Sequence, residues 1–236
     1  MIKLGYSESL KRKIRQDKPF GELAIPTWDL IARAIKEKKT EEALDLLEYA
    51  RGETRRDNDG LVSFTEIVLS YLPKFGEQEV FKVITERSLP KIKEFLSVTH
   101  GVEETLIRLT EAQRGHHAEF VVTEEPDRYV VRYDPCGSGG RLKRLRPVGV
   151  TSKPYPWSWG KAGVPYYCCH CCIQWEIIGI ELQGSPIRIT LPGDRPEDPC
   201  THLYYKKPEF IPEEYYTRVG KKKGAKSESV PLGPKK

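Results

Sequence analysis

The densest chemical signal in the chain is Tyr166-Tyr167-Cys168-Cys169-His170-Cys171-Cys172-Ile173, which sets four of six cysteines and one of five histidines in five consecutive positions. The other two cysteines, Cys136 in DPCGSGG and Cys200 in EDPCTH, lie before and after it, so a shared site has to be assembled by folding. Sulfur and imidazole groups bind zinc or iron, supply thiolate nucleophiles or pair as disulfides. A thiol-centred site is the expectation.

Cys168 and Cys171 form one CxxC pair, and Cys169 and Cys172 form a second that overlaps it. In an extended run Cys168, His170 and Cys172 face one side and Cys169 and Cys171 the other, so all five cannot hold one ion. Cys200 and His202 fall on one side of a candidate strand. With Cys136 and one CxxC pair they exceed the four ligands of a tetrahedral zinc site, which leaves room for a structural site or a catalytic one with an open position. The expected metal ligands are therefore drawn from Cys136, Cys168, Cys169, His170, Cys171, Cys172, Cys200 and His202. Zinc is the expected ion and iron the alternative.

Cys136 is the leading single candidate for a reactive thiol. It follows Asp134-Pro135 and precedes Gly137-Ser138-Gly139-Gly140, and glycines permit a left-handed or closely approached backbone whose amides steady an anion or a thiolate. This turn lacks the Lys-Ser/Thr ending of a phosphate-binding P-loop. His117, nearer the following strand than His116, is the expected proton carrier, and Asp134 is expected to orient a histidine or the loop amides. The catalytic expectation is thus Cys136, His117 and Asp134. Arg141, Lys143, Arg144 and Arg146 follow the glycine turn; they attract a carboxylate or phosphate, or form a solvated basic rim.

The positioning elements divide by pattern. Residues 27–115 repeat apolar positions at helical spacing: Leu30, Ile31 and Ile35 after Thr27 as a cap; Leu44 and Leu47 after Thr40; Phe64, Ile67, Val68 and Tyr71 before Pro73. Residues 52–60 read as a polar connection, and further helices are expected over 77–87, from Pro90 through Leu96, and from Val102 to about Gly115. After Gly115 come short β-rich runs, 120–122 and 129–133 about a turn at 124–127, then 173–182, 187–191 and 202–205. The proline- and tryptophan-bearing segment 147–165 reads as an ordered crossover or lid beside the cysteines. The fold expectation is α+β, an N-terminal helical layer packed on a small, mainly antiparallel C-terminal sheet. Its divisions are a basic arm 1–26, a helical subdomain 27–115, a Cys/His-containing β-rich subdomain 116–218 and a flexible basic tail 219–236.

Composition limits the function classes. With 236 residues, 38% hydrophobic and 31% charged, the chain has the makeup of a globular protein with a core. No apolar run approaches the roughly 20 residues that span a bilayer, and the first residues resemble no export signal. Cytoplasmic placement and no membrane partner are expected. A reducing compartment turns the cysteines toward ligation or reactivity, an intracellular hyperthermophile being the exception. The net charge of +5 gathers near both ends, so weak nucleic-acid contact through the basic tail is one partner reading and a homo-oligomer another. The functional expectation is a small-molecule hydrolase or lyase with a cysteine-rich metal or thiolate centre and a histidine moving a proton. The alternatives are a non-catalytic, zinc-stabilised binding or regulatory protein and a thiol redox sensor.

Overall fold

The computed structural model describes residues 4–224. These form two compact units that divide between Asn58 and Asp59, so the sequence boundary at 115/116 falls inside the second. In the first unit, strands β1 (Leu4–Ser7) and β2 (Arg12–Arg15) pair as an antiparallel hairpin where the sequence offers little periodicity. The Arg15 guanidinium anchors the chain between β2 and the first helix: it pairs with buried Asp17 and donates to the carbonyls of Glu22 and Ile25 at 2.8 and 2.6 Å. Helix α1 (Thr27–Lys36) buries Leu30, Ile31 and Ala34 against Ala43, Leu46 and Ala50 of helix α2 (Thr40–Tyr71). Pro26, and not Thr27, stands at the cap of α1; Thr27 lies inside the helix and donates to Glu53 Oε2 at 2.6 Å.

Residues 52–60, expected as a connection, are helical and carry α2 from the first unit into the second. Gly52 and Gly60 each cost a helix about 1 kcal/mol relative to alanine. Faces that pack at both ends, Leu46 and Ala50 before and Val62 and Leu69 after, outweigh that cost. The same merging joins the two helices expected around Pro90 into α3 (Gln78–Val98): the proline withholds one backbone N–H, yet Val80, Ile84 and Ile92 are buried on either side of it. Helix α4 (Gly101–Gly115) follows α3 in the second unit.

The second unit is α+β, its helical region followed by a four-stranded antiparallel sheet. Strands β3 (Phe120–Glu124), β4 (Arg128–Tyr133), β5 (Ile189–Leu191) and β6 (Cys200–Tyr205) lie in the order β3-β4-β6-β5. The register sets Tyr133 opposite Cys200, Val131 opposite His202 and Thr190 opposite His202. Between β4 and β5 run the short helix α5 (Gly139–Leu145) and a helical segment over 166–183. That segment comprises a 3-10 turn (Tyr166–Cys168), α6 (Cys169–Cys171), a π-helical stretch (Cys172–Ile177) and α7 (Ile178–Gln183). Helix α8 (Glu214–Thr217) follows β6.

Residues 173–182 are therefore helix and not the strand their β-branched residues suggest. Ile173, Ile177, Ile178 and Ile180 are all buried, in one core with Val131, Tyr133, Leu203 and Tyr204 of the sheet and Leu69, Val80, Ile84 and Leu109 of the helices. A helix covered on every side shows no amphipathic period. Segment 147–165 is ordered, as expected. Glu77 at the start of α3 accepts from the Ser152 amide and hydroxyl and from the hydroxyls of Tyr155 and Tyr166, while Trp157 and Trp159 are buried.

The beginning of the expected tail packs: Val219 is buried and Lys223 Nζ donates to the carbonyls of Glu209 and Ile211, each at 2.8 Å. The rest of the expected basic tail, residues 225–236, lies outside the described residues, as do residues 1–3 of the expected arm. No helix among the described residues is long and apolar enough to cross a membrane.

Candidate thiol site

Helical geometry sorts the central cysteines differently from an extended run. Residues three apart share a helix face, so Cys168 and Cys171 form one pair and Cys169 and Cys172 the other. Cys169 and Cys172 are fully buried in the core, their thiols directed at the carbonyls of Pro165 and Pro156, each at 3.5 Å. Burial pushes both thiols up, well out of the range in which they ionise near neutrality. Both side chains pack in the core.

Cys168 and Cys171 instead border a cavity of about 40 Å³, together with Cys136, Cys200, His170 and His202. The sheet brings Cys200 and His202, and the β4–α5 turn brings Cys136. The glycines of this turn serve close approach, not a left-handed backbone. A side chain at Gly139 would set its Cβ 2.7 Å from Cys168 Sγ, and one at Gly140 would stand 3.0 Å from Cys136 Sγ. The Gly140 amide donates to Cys136 Sγ at 3.0 Å. All six cysteines are free.

Cys171 is singled out by its charged neighbours. Its sulfur lies 3.4 Å from His170 Nε2 and 3.2 Å from Arg188 Nη2. His170 Nδ1 bonds the Tyr167 carbonyl, which fixes that nitrogen as the donor and turns Nε2 toward the thiol. Arg188 is buried, with its guanidinium over the Trp175 ring at 5.1 Å. Burial pushes the Cys171 thiol up, but the charges and hydrogen bonds of His170 and Arg188 outweigh it and bring the thiol down to about 7. Burial opposes the His170 imidazolium as well, and Cys171 reverses that, raising the ring above its ordinary value. Each of the two groups thus favours the charged form of the other. Cys168 and Cys200 are pushed the other way by burial and then by Cys136 beside them.

Two further groups facing the cavity lack partners. His202 is 2% exposed and its Nδ1 has no hydrogen-bond partner among the described residues; the Thr190 hydroxyl opposite it is likewise buried and without a partner among them. Burial, then the charges of Arg188 and His170, hold His202 neutral.

His117 and Asp134 do not border this cavity. The His117 backbone has φ 54° and its carbonyl accepts from Arg141 Nη1 at 3.1 Å. His116, the less favoured of the pair on sequence position, is lowered by burial and by the charge of His170. Asp134 pairs with Arg144 on an exposed surface. The basic run is largely structural: Arg141 is buried and bridges Asp59 at 2.7 Å, and Arg144 donates to the carbonyls of Pro196 and Glu197.

Sequence reasoning misses Arg188. Its signal in the sequence is a cation inside the apolar run Ile187-Arg188-Ile189, since a charge placed there is either at an edge or paired within the core. Among the described residues no group of three or more His, Cys, Asp and Glu side chains is arranged to hold a metal ion. No protein-family model, curated protein or solved structure matches the chain.

Proposed function

We propose that the chain is a cysteine-dependent hydrolase or lyase of a small molecule, with Cys171 as the working thiolate and His170 as the proton carrier. One observation carries this reading: Cys171 Sγ is held between His170 Nε2 and Arg188 Nη2 at 3.4 and 3.2 Å on the wall of a cavity. A nucleophile, a base within reach and a third group orienting the base, here the Tyr167 carbonyl, are the parts covalent catalysis needs.

In a hydrolytic cycle the thiolate attacks an electrophilic carbon and forms a C–S bond. The leaving group departs with the proton of the His170 imidazolium. Water then attacks the acyl carbon, gives its proton to the neutral ring and releases the acid and the thiolate. In a lyase the thiolate takes a proton from carbon, the double bond forms, and the leaving group departs with the His170 proton; the thiol then returns its proton to the ring. Six free thiols fit a reducing, cytoplasmic setting.

The test is an activated acetyl ester offered to the wild-type protein and to Cys171→Ser. The reading expects one acetyl group on Cys171, found by peptide mass spectrometry, and its loss on further incubation. Acetylation elsewhere, or an unchanged adduct in Cys171→Ser, overturns it.

A second reading has an observation of its own. Cys136, Cys168, Cys171 and Cys200 border the same cavity, and four sulfurs are the donor set of structural zinc, with iron next. The side chains would have to turn to meet one ion. Zinc content near one per chain after purification without added metal, with these four thiols unreactive until a chelator is added, favours this reading over the free thiolate.

A further inference from the structure

Lys143 and Cys168 border two cavities at once. Beside the thiol cavity lies a larger one of about 260 Å³, which shares Pro192 and Gly193 with it as well. The wall of this second cavity carries Lys143, Arg146, Lys161 and Arg195 against the carboxylate of Asp194. Its volume is below the range that accepts drug-sized ligands, so it suits a small molecule.

The charges on this wall are only partly neutralised. Lys161 pairs with Asp194 at 2.6 Å, and Arg195 pairs with Asp198 at 2.9 Å. Among the described residues the hydrogen bonds of Lys143 go to neutral groups, the carbonyls of Gly193 and Arg195 at 3.4 and 3.0 Å, while its charge also acts on the nearby Asp198 carboxylate. An ammonium has three donors; two are used here, which fixes the nitrogen in place and leaves one N–H, with a charge only partly offset by Asp198, itself paired with Arg195. Arg146 is exposed on the same wall and makes no ion pair among the described residues. A concave wall with unneutralised cations concentrates anions beside it.

From this arrangement we infer that the basic cavity is an anion subsite. The substrate is a small molecule whose oxyanion, a carboxylate or a phosphate, rests against Lys143 and Arg146, while its electrophilic carbon reaches past Cys168 to Cys171. The inference rests on the thiolate reading above and adds the substrate class to it.

Two alkylating reagents of similar size, one anionic and one neutral, test both ideas separately. Iodoacetate is an anion and iodoacetamide is neutral; each forms a C–S bond with a thiolate and expels iodide. Rates at Cys171 are followed by peptide mass spectrometry in the wild type, Arg146→Gln and Lys143→Gln. The expected result is an iodoacetate-to-iodoacetamide rate ratio above that of the unfolded chain, falling by about threefold to tenfold in each variant and with added salt.

Protection against iodoacetate by malonate or by inorganic phosphate supports the subsite and tells which oxyanion it prefers. Arg146→Gln keeps the test decisive if Lys143→Gln does not fold, because Arg146 is exposed. A ratio equal to that of the unfolded chain, and unmoved by either variant, overturns the subsite. Ready labelling of Cys171 by iodoacetamide in that case leaves the thiolate reading standing. Failure of Cys171 to react with either reagent overturns both.

Discussion

Replacing His170 by glutamine removes the ring beside Cys171 while keeping an amide able to donate to the Tyr167 carbonyl. The thiol now stands at about 7, against an ordinary value of 9.0, although burial alone would push it higher still. With His170 gone, Arg188 is left to oppose that burial, and the thiol is expected at 9 or above. At pH 6 the thiolate fraction then falls from about 9% to about 0.1%, roughly ninetyfold. A more basic thiolate is a better nucleophile, by about eightfold over this interval, so the observed alkylation rate is expected to drop by about tenfold. The cleaner readout is the midpoint. The rate of iodoacetamide reaction at Cys171 against pH should turn over near 7 in the wild type and at 9 or above in His170→Gln. A midpoint that stays near 7 in the variant would refute the assignment of the low value to the His170 pair.

Two predictions concern the frame around the site. Burial pushes Glu77 up, but the bonds from Ser152, Tyr155 and Tyr166 bring it down to about 2, below its ordinary 4.5. Its contribution to stability is then complete above pH 4.5 and is lost as pH falls toward 2. Glu77→Gln should cost about 1–2 kcal/mol at neutral pH, allowing for solvent screening, and should flatten the acid limb of a denaturation series; equal acid limbs would contradict this. Gly139→Ala would set a Cβ 2.7 Å from Cys168 Sγ, which is expected to destabilise by about 1–3 kcal/mol in urea titration and to disturb labelling at Cys168. An unchanged midpoint would mean that the turn has room to yield.

How legible each element is in the sequence depends on which of its residues face water. The helices of the first hundred residues keep an exposed side, so their period is readable, and the β3–β4 hairpin announces itself through its turn. Glycine and proline suggest more breaks between helices than exist, because they mark local cost, while packing at both ends of α2 and on both sides of Pro90 decides the outcome. The buried helix after Cys168 is the least legible element. It has no polar face, its isoleucines favour strand, and although the CxxC spacing already pairs Cys168 with Cys171, only the helix shows that Cys169 and Cys172 enter the core. The sequence singles out Cys136, Cys168, Cys171 and Cys200 among its candidates, but their meeting at one cavity depends on folding. Arg188 is not legible as a partner, because its place depends on how the segment before β5 lies against that helix, and the His170–Cys171 contact depends on the bond to the Tyr167 carbonyl that orients the ring.

The account turns on one ionised sulfur, and ultraviolet titration of thiolate absorbance in the native protein reads it directly. Subtracting the trace of Cys171→Ser from that of the wild type should leave a single thiolate with a midpoint near 7. Superimposable traces, or a difference that appears only around 9 or above, would contradict the claim that His170 and Arg188 hold Cys171 as a thiolate at neutral pH.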